Sequence, residues 1–98
     1  MFRLDESERR QSTTIHINGG LVADCARLLE QRCREAMAAG RKVHVVLGRL
    51  TAADETGRQL LARLARWGVK LRALDLYAQA LLDSIRRPPG GPRQPRTG

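Results

Sequence analysis

The run Lys42-Val43-His44-Val45-Val46-Leu47 is β-branched and almost unbroken in its apolarity, so it demands cover on much of both faces and reads as a central strand. Amphipathic patterns of helical period flank it. Upstream, Val22, Cys25, Ala26, Leu29, Cys33, Ala36 and Met37 form one stripe, while Arg27, Glu30, Gln31 and Arg34 lie on the outer face. Glu30 and Arg34 are ordered for an i,i+4 ion pair, and Gly40 is placed to end the helix. Downstream, over residues 59–67, Leu60, Leu61 and Leu64 point inward together with the following Gly68.

Shorter elements bracket this unit. Thr13, Ile15 and Ile17 alternate with Thr14, His16 and Asn18, which predicts a half-buried strand that Asn18-Gly19-Gly20 then breaks. Residues 69–73 also alternate, so Lys70 and Arg72 face away from the core that Val69, Leu71 and Ala73 enter. A last helix over 76–85 offers Leu76, Ala80, Leu81 and Ile85 to the core, with Pro88 beyond its end. Phe2 and Leu4 begin a first strand that turns through residues 6–10. The order β, β, α, β, α, β, α, with passages long enough for right-handed parallel crossovers, predicts an α/β domain. Its sheet is expected to be mixed and four- to five-stranded, with helices mainly on one face.

Ninety-eight residues accommodate one domain with a modest core, placed at residues 1–85. No long apolar run is suited to crossing a bilayer and no segment reads as a secretory signal, which makes the cytoplasm the expected location. Cys25 and Cys33 fall eight residues apart on one helix, about 12 Å along its axis, too far for a mutual disulfide. They read as reduced, buried small hydrophobes. The net charge is +8, and Arg86, Arg87, Arg93 and Arg96 contribute four of those charges from a Pro/Gly/Arg-rich stretch. That stretch, residues 86–98, lacks the apolar content to offset the entropy of ordering and reads as a disordered basic tail. It serves either solubility or the loose tethering of an acidic partner, a membrane surface or nucleic acid.

The chemistry-bearing segment is Asp54-Glu55-Thr56-Gly57, a carboxylate, a second acid, a hydroxyl and a glycine at a strand-to-helix junction. Junctions of this kind present free backbone N–H groups and favour negative charge. A purely structural reading is available. Thr56 to Gln59 has the form of a capping box, with Thr56 as N-cap and Gln59 reaching back, while Asp54 bonds local donors and Gly57 permits close approach of the chain. The face of the next helix opposite the leucines presents Arg58, Gln59, Ala62, Arg63 and Arg66, with Trp67 at its edge. Arginine and tryptophan are favoured at interfaces, so this face reads either as ordinary solvated surface or as a docking face for an acidic partner.

In order and spacing, residues 14–85 resemble a STAS domain, the module of bacterial anti-sigma-factor antagonists that also occurs in sulfate transporters and lipid-transport complexes. The resemblance rests on Ile15-His16-Ile17-Asn18-Gly19-Gly20-Leu21, a long helix, the strand entering Asp54-Glu55-Thr56-Gly57, the leucine-rich Leu60-Leu61-Ala62-Arg63-Leu64, and Gly68-Val69-Lys70-Leu71. It implies a STAS fold and a role in signalling and regulation of transcription. It also implies a protein partner, an anti-sigma factor or its kinase-like relative, docking at Asp54, Glu55, Thr56, Gly57, Arg58, Arg63, Arg66 and Trp67. In that family the residue after the loop aspartate is a serine phosphorylated by the partner. Here it is Glu55, which cannot be phosphorylated and carries one negative charge where phosphoserine would carry about −1.5 to −2. Thr56 keeps a hydroxyl at the next position and is the candidate phosphorylation site. A second departure is Val46-Leu47-Gly48-Arg49, where the family often has Asp-Leu-Ser-Gly.

Catalysis finds little support in the pattern. His16 and His44 sit on separate strands away from any Cys or acid cluster, Gly19-Gly20 lacks the Lys-Ser/Thr of a phosphate-binding loop, and no zinc-type cysteine pair occurs. No cofactor or metal is expected. An alternative role is a stable STAS subunit of a transport or other multiprotein complex, which Glu55 suits because no switch is needed. A third is nucleic-acid binding through the tail with Arg58, Arg63, Arg66, Lys70 and Arg72; with Phe2, Trp67 and Tyr77 as the sole aromatics, it lacks a stacking platform and ranks last.

Overall fold

A computed structural model of the chain describes residues 2–86. The elements are β1 (Phe2–Glu8), β2 (Ser12–Leu21), α1 (Ala23–Ala38), β3 (Lys42–Ala53), α2 (Glu55–Arg66), β4 (Lys70–Ala73) and α3 (Leu76–Arg86). Of the tail expected at 86–98, Arg86 closes α3 and the rest lies outside the described residues.

A four-stranded mixed sheet runs in the order β1-β2-β3-β4, with β1 antiparallel to β2 and the other neighbours parallel. Both crossovers step in the same direction across the sheet, and the right-handed rule therefore puts α1 and α2 on one face. The register carries that face across every strand. Leu4, Ile17, Leu47 and Ala73 are successive Cα partners, and Ile15, Val45 and Leu71 form the next row. Ile15, Ile17, Val45 and Leu47 are fully buried in one core with Leu29 and Cys33 of α1, Leu60, Leu61 and Leu64 of α2, and Ala78 and Leu82 of α3. Each such large side chain contributes roughly 1.5–3 kcal/mol on burial. The opposite face carries the rows Asp5–His16–Val46–Arg72 and Ser7–Thr14–His44–Lys70, all exposed or half-buried.

Several sequence expectations are corrected. Asn18-Gly19-Gly20 does not break β2; the strand continues to Leu21 through register shifts after Ile17 and after Gly19. Asn18 seals the first shift, its Oδ1 accepting from the Arg49 N–H at 2.8 Å. The first strand likewise persists to Glu8 rather than turning from Glu6. In α3 the inward residues are Ala78, Leu81 and Leu82 with Ile85, whereas Leu76 is 83 % exposed and Ala80 is exposed. Asp75 sets that frame: its Oδ1 accepts from the Ala78 N–H at 2.8 Å, fixing the start of the helix, and at about 100° per residue Leu76 then faces solvent. Cys33 is buried as expected, but Cys25 is only half-buried.

Gly68 is exposed rather than inward, and its role is conformational. At φ 90° it lets the chain leave α2 with the Gly68 N–H donating to the Ala65 carbonyl and the Val69 N–H to the Leu64 carbonyl. The same pair of bonds ends α1 at Gly40. One clasp was invisible in the sequence. The Arg41 guanidinium donates to the buried Thr13 hydroxyl at 2.8 Å, to the Ser12 carbonyl at 2.8 Å and to the Arg9 carbonyl, tying the α1–β3 turn to the β1–β2 hairpin.

Candidate functional site

Asp54 closes β3 and begins α2, and its carboxylate serves two helices. Oδ1 accepts from the Gly57 N–H at 2.9 Å, which makes Asp54 the N-cap of α2. Oδ2 accepts from the Ala23 N–H at 3.1 Å, at the first residue of α1. The residue before it, Val22, has no side-chain oxygen to cap α1, so the carboxylate supplies that acceptor from the end of the neighbouring strand β3. Ala23 itself is held at φ 31°, a value that costs an L-residue roughly 1–3 kcal/mol. One negative charge thus faces the positive ends of two helix dipoles.

Gly57 explains why the two helix starts come so close. A β-carbon there would lie 2.1 Å from the Leu21 carbonyl oxygen, so only glycine fits. The Asp54 N–H points at the same Leu21 carbonyl, 3.4 Å away. The expectation that Asp54 bonds local donors and that Gly57 permits close approach therefore holds. The capping box at Thr56 does not. Thr56 lies one full position inside α2, and Gln59 donates its side-chain N–H to the Glu55 carboxylate at 3.2 Å instead of reaching back to a cap. Glu55 and Thr56 are exposed, and the Thr56 hydroxyl makes no hydrogen bond among the described residues. The loop splits by function: Asp54 and Gly57 build the joint, and Glu55 and Thr56 form its solvent-facing apex.

Along α2 the leucines are inward as expected, and Arg58, Gln59 and Arg66 are exposed. Arg63 is not a free cation. It is half-buried and donates to Glu30 Oε1 of α1 at 3.1 Å, while Arg34 donates to Glu30 Oε2 through Nη2 at 2.9 Å and through Nε at 3.1 Å. Arg34 also lies over the Trp67 ring, 5.2 Å from its centroid. These contacts lock α1 to α2 along a seam. The Glu30–Arg34 half of the network was readable from spacing, but the link to Arg63 spans 33 residues and left no local signal. Trp67 stands at the opposite end of α2 from Asp54, roughly 20 Å away along the helix axis. The candidate residues therefore form a strip rather than a pocket.

Titration and metal chemistry are sparse. Burial, with the negative charges of Glu6 and Glu30 adding to it, pushes the Cys33 thiol from 9.0 up to about 12, so it stays protonated and unreactive at neutral pH. Among the described residues no group of three His, Cys, Asp or Glu side chains converges to hold a metal ion, and no helix is long and apolar enough to cross a membrane. His16 is exposed and His44 half-buried, both on the face of the sheet away from the helices.

No family model and no curated protein matches the chain by sequence. Solved structures do match by fold. The anti-sigma factor antagonist SpoIIAA in its unphosphorylated form superposes with a TM-score of 0.55 over 88 % of this chain and 98 % of its own, at 17 % identity. Mglu superposes with a TM-score of 0.57 at 22 % identity over 74 % of this chain, which spans only 19 % of the Mglu chain. The chain thus has the STAS-like α/β fold that its motif order implied.

Proposed function

We propose that this domain is a non-enzymatic, cytoplasmic docking module of the anti-sigma-factor-antagonist kind. It engages a regulatory protein partner through the Glu55–Thr56 apex and the exposed arginines of α2, without a serine phospho-switch. The observation that carries this reading is the division of labour at the junction. Asp54 and Gly57 are consumed by the joint between α1 and α2, which leaves Glu55 and Thr56 presented at the head of a helix whose outer face bears Arg58 and Arg66. A rigid apex beside a cationic strip suits a partner that carries acidic groups around a small acceptor pocket. Support for the class of partner comes from the likeness to SpoIIAA over nearly the full length of both chains.

Glu55 holds a fixed negative charge where a phosphorylatable serine would make charge conditional, so docking is not switched by phosphorylation at that position, and if Glu55 mimics phosphoserine, binding to a kinase-type partner is permanently weakened. Thr56, exposed and free of a capping role, is the acceptor at which a kinase would act. The test is capture of the cognate partner with wild type and with Arg58→Glu/Arg66→Glu. Arg63 is left intact because it braces α1 against α2.

A stable subunit of a larger assembly is the second reading. It is favoured by the constant charge of Glu55 and by the occurrence of this fold as about a fifth of the longer Mglu chain, covered to 19 %. Co-purification at fixed stoichiometry through high salt would favour this reading over transient docking.

A further inference from the structure

We infer that the face of the sheet turned away from the helices binds the phosphate backbone of a single-stranded nucleic acid. Strand register builds that face. On β3, Lys42 and His44 alternate with the core residues Val43 and Val45, and on β4, Lys70 and Arg72 alternate with Leu71 and Ala73. His44 is the Cα partner of Lys70, and Val46 that of Arg72. Two rows of basic side chains therefore run side by side, about 4.8 Å apart across the strands and about 6.6 Å apart along each. Lys42, Lys70 and Arg72 are exposed and enter no ion pair among the described residues. Further along β3, Arg49 is exposed and shares a shallow hollow with Arg3 and Asn18 of the same face. Within the strands Asp5 is the one acid on this face; it lies two strands away from β3 and is paired with Arg3 at 3.1 Å.

This arrangement selects among polyanions. The unpaired cations follow one pair of strands, since β1 contributes the neutralised Arg3–Asp5 pair and β2 contains no lysine or arginine. A band of that form matches a linear chain of charges rather than the two-dimensional array of an anionic lipid surface. An acidic polypeptide is also linear, but on a sheet face its backbone finds no ladder to join, and it lacks the condensed counterions whose release favours nucleic-acid binding. Thr14 and His16 of β2 flank the band with hydrogen-bonding groups for sugar and phosphate. No aromatic ring lies on this face: Phe2 packs against the core, and Trp67 and Tyr77 belong to the helical layer. Bases are therefore not stacked, and contact is through phosphate without sequence preference. Of the cations that the sequence grouped for such a role, Lys70 and Arg72 share this face, whereas Arg58, Arg63 and Arg66 belong to α2 on the other side of the sheet. The inference goes beyond docking through α2 and does not rest on it.

The full chain is titrated against a fluorescently labelled oligouridylate of about 12 nucleotides, followed by anisotropy at several salt concentrations. Lys70→Gln/Arg72→Gln and Arg58→Gln/Arg66→Gln each remove two positive charges, so together they separate position from net charge. The expected result is saturable binding that the β4 pair weakens about fivefold or more, while the α2 pair stays within about threefold of wild type. The β4 pair is also expected to flatten the slope of log K against log salt by about 1.4, two contacts at roughly 0.7 each. Lys42→Gln alone is expected to flatten it by about 0.7, which keeps the test independent of any folding defect in the β4 pair. The proposal is overturned if binding does not saturate at low salt, if the β4 pair weakens it less than about fivefold, or if the α2 pair weakens it as much as the β4 pair. It is equally overturned if a duplex of matched length, polyglutamate or phosphatidylserine vesicles compete as well as unlabelled oligouridylate. No protein partner is present in the assay, so failure here leaves the docking reading standing.

Discussion

Asp54 and Ala23, 31 residues apart in the chain, are joined by a hydrogen bond in which the Asp54 carboxylate accepts the backbone N–H at 3.1 Å. With its other oxygen capping α2 at Gly57, this aspartate sets the relative height of two helices on the sheet, and so the presentation of everything on the outer face of α2.

Asp54→Ala removes both acceptors and is expected to lower the free energy of unfolding by about 2 kcal/mol. Asp54→Asn retains one oxygen for Gly57 but turns an amide donor towards Ala23, so about half of that loss is expected. Thr56→Ala, by contrast, is expected to fall within about 0.5 kcal/mol of wild type, because the residue is exposed and caps nothing. Urea titrations of the three variants check the order, and a Thr56 variant as damaging as Asp54→Ala would restore the capping box that the structure replaces.

Gly57→Ala drives a methyl group into the Leu21 carbonyl, to which backbone rather than a flexible side chain belongs. A loss of about 3 kcal/mol is expected, a fall in melting temperature on the order of 10 °C or more for a domain of this size. Thermal unfolding followed by circular dichroism measures it.

How legible the joint was can be judged from these two positions. The segment was recognisable because an acid and a glycine bracket a strand-to-helix junction, a local pattern. Which residue caps α2 was not recognisable, since Asp54-x-x-Gly57 and Thr56-x-x-Gln59 both satisfy capping rules and lie two residues apart. The choice is made by Leu21 and Ala23, whose backbone groups reach Asp54 and Gly57 only once β2 and β3 have paired. The strands and helices followed from periodicity, and β-α-β order fixed the parallel pairing. The length of β2 escaped because bulges let a strand run through Gly19 and Gly20, and the frame of α3 escaped because Asp75, not the apolar spacing of Leu76, sets its start. Arg63 read as part of a solvated or docking face and Arg41 carried no sequence signal, though each is held by residues about thirty positions away.

Arg63→Met breaks the link to Glu30 and is expected to cost about 1 kcal/mol, whereas Arg58→Glu/Arg66→Glu is expected to stay within about 0.5 kcal/mol per site. A double-mutant cycle of Arg63→Met with Glu30→Gln isolates the pair, with a coupling of roughly 0.5–1 kcal/mol expected for partners this exposed.

The buried Cys33 thiol makes stability fall at alkaline pH. Its folded pKa, about 12, lies above the ordinary 9.0, so its contribution is complete below pH 9 and is lost as pH rises towards 12. Cys33→Val is expected to lack this component between those limits. Thiol labelling at pH 8 is expected to modify the half-buried Cys25 in the folded protein and Cys33 only after denaturation.

The docking account is tested most directly by affinity capture from native lysate with three baits: wild type, Arg58→Glu/Arg66→Glu, and Arg72→Glu on the opposite face of the sheet. The expected result is a partner retained by wild type and by Arg72→Glu and lost with the α2 pair. Equal retention of the same partner by all three, or loss with Arg72→Glu alone, would contradict docking through the head and outer face of α2.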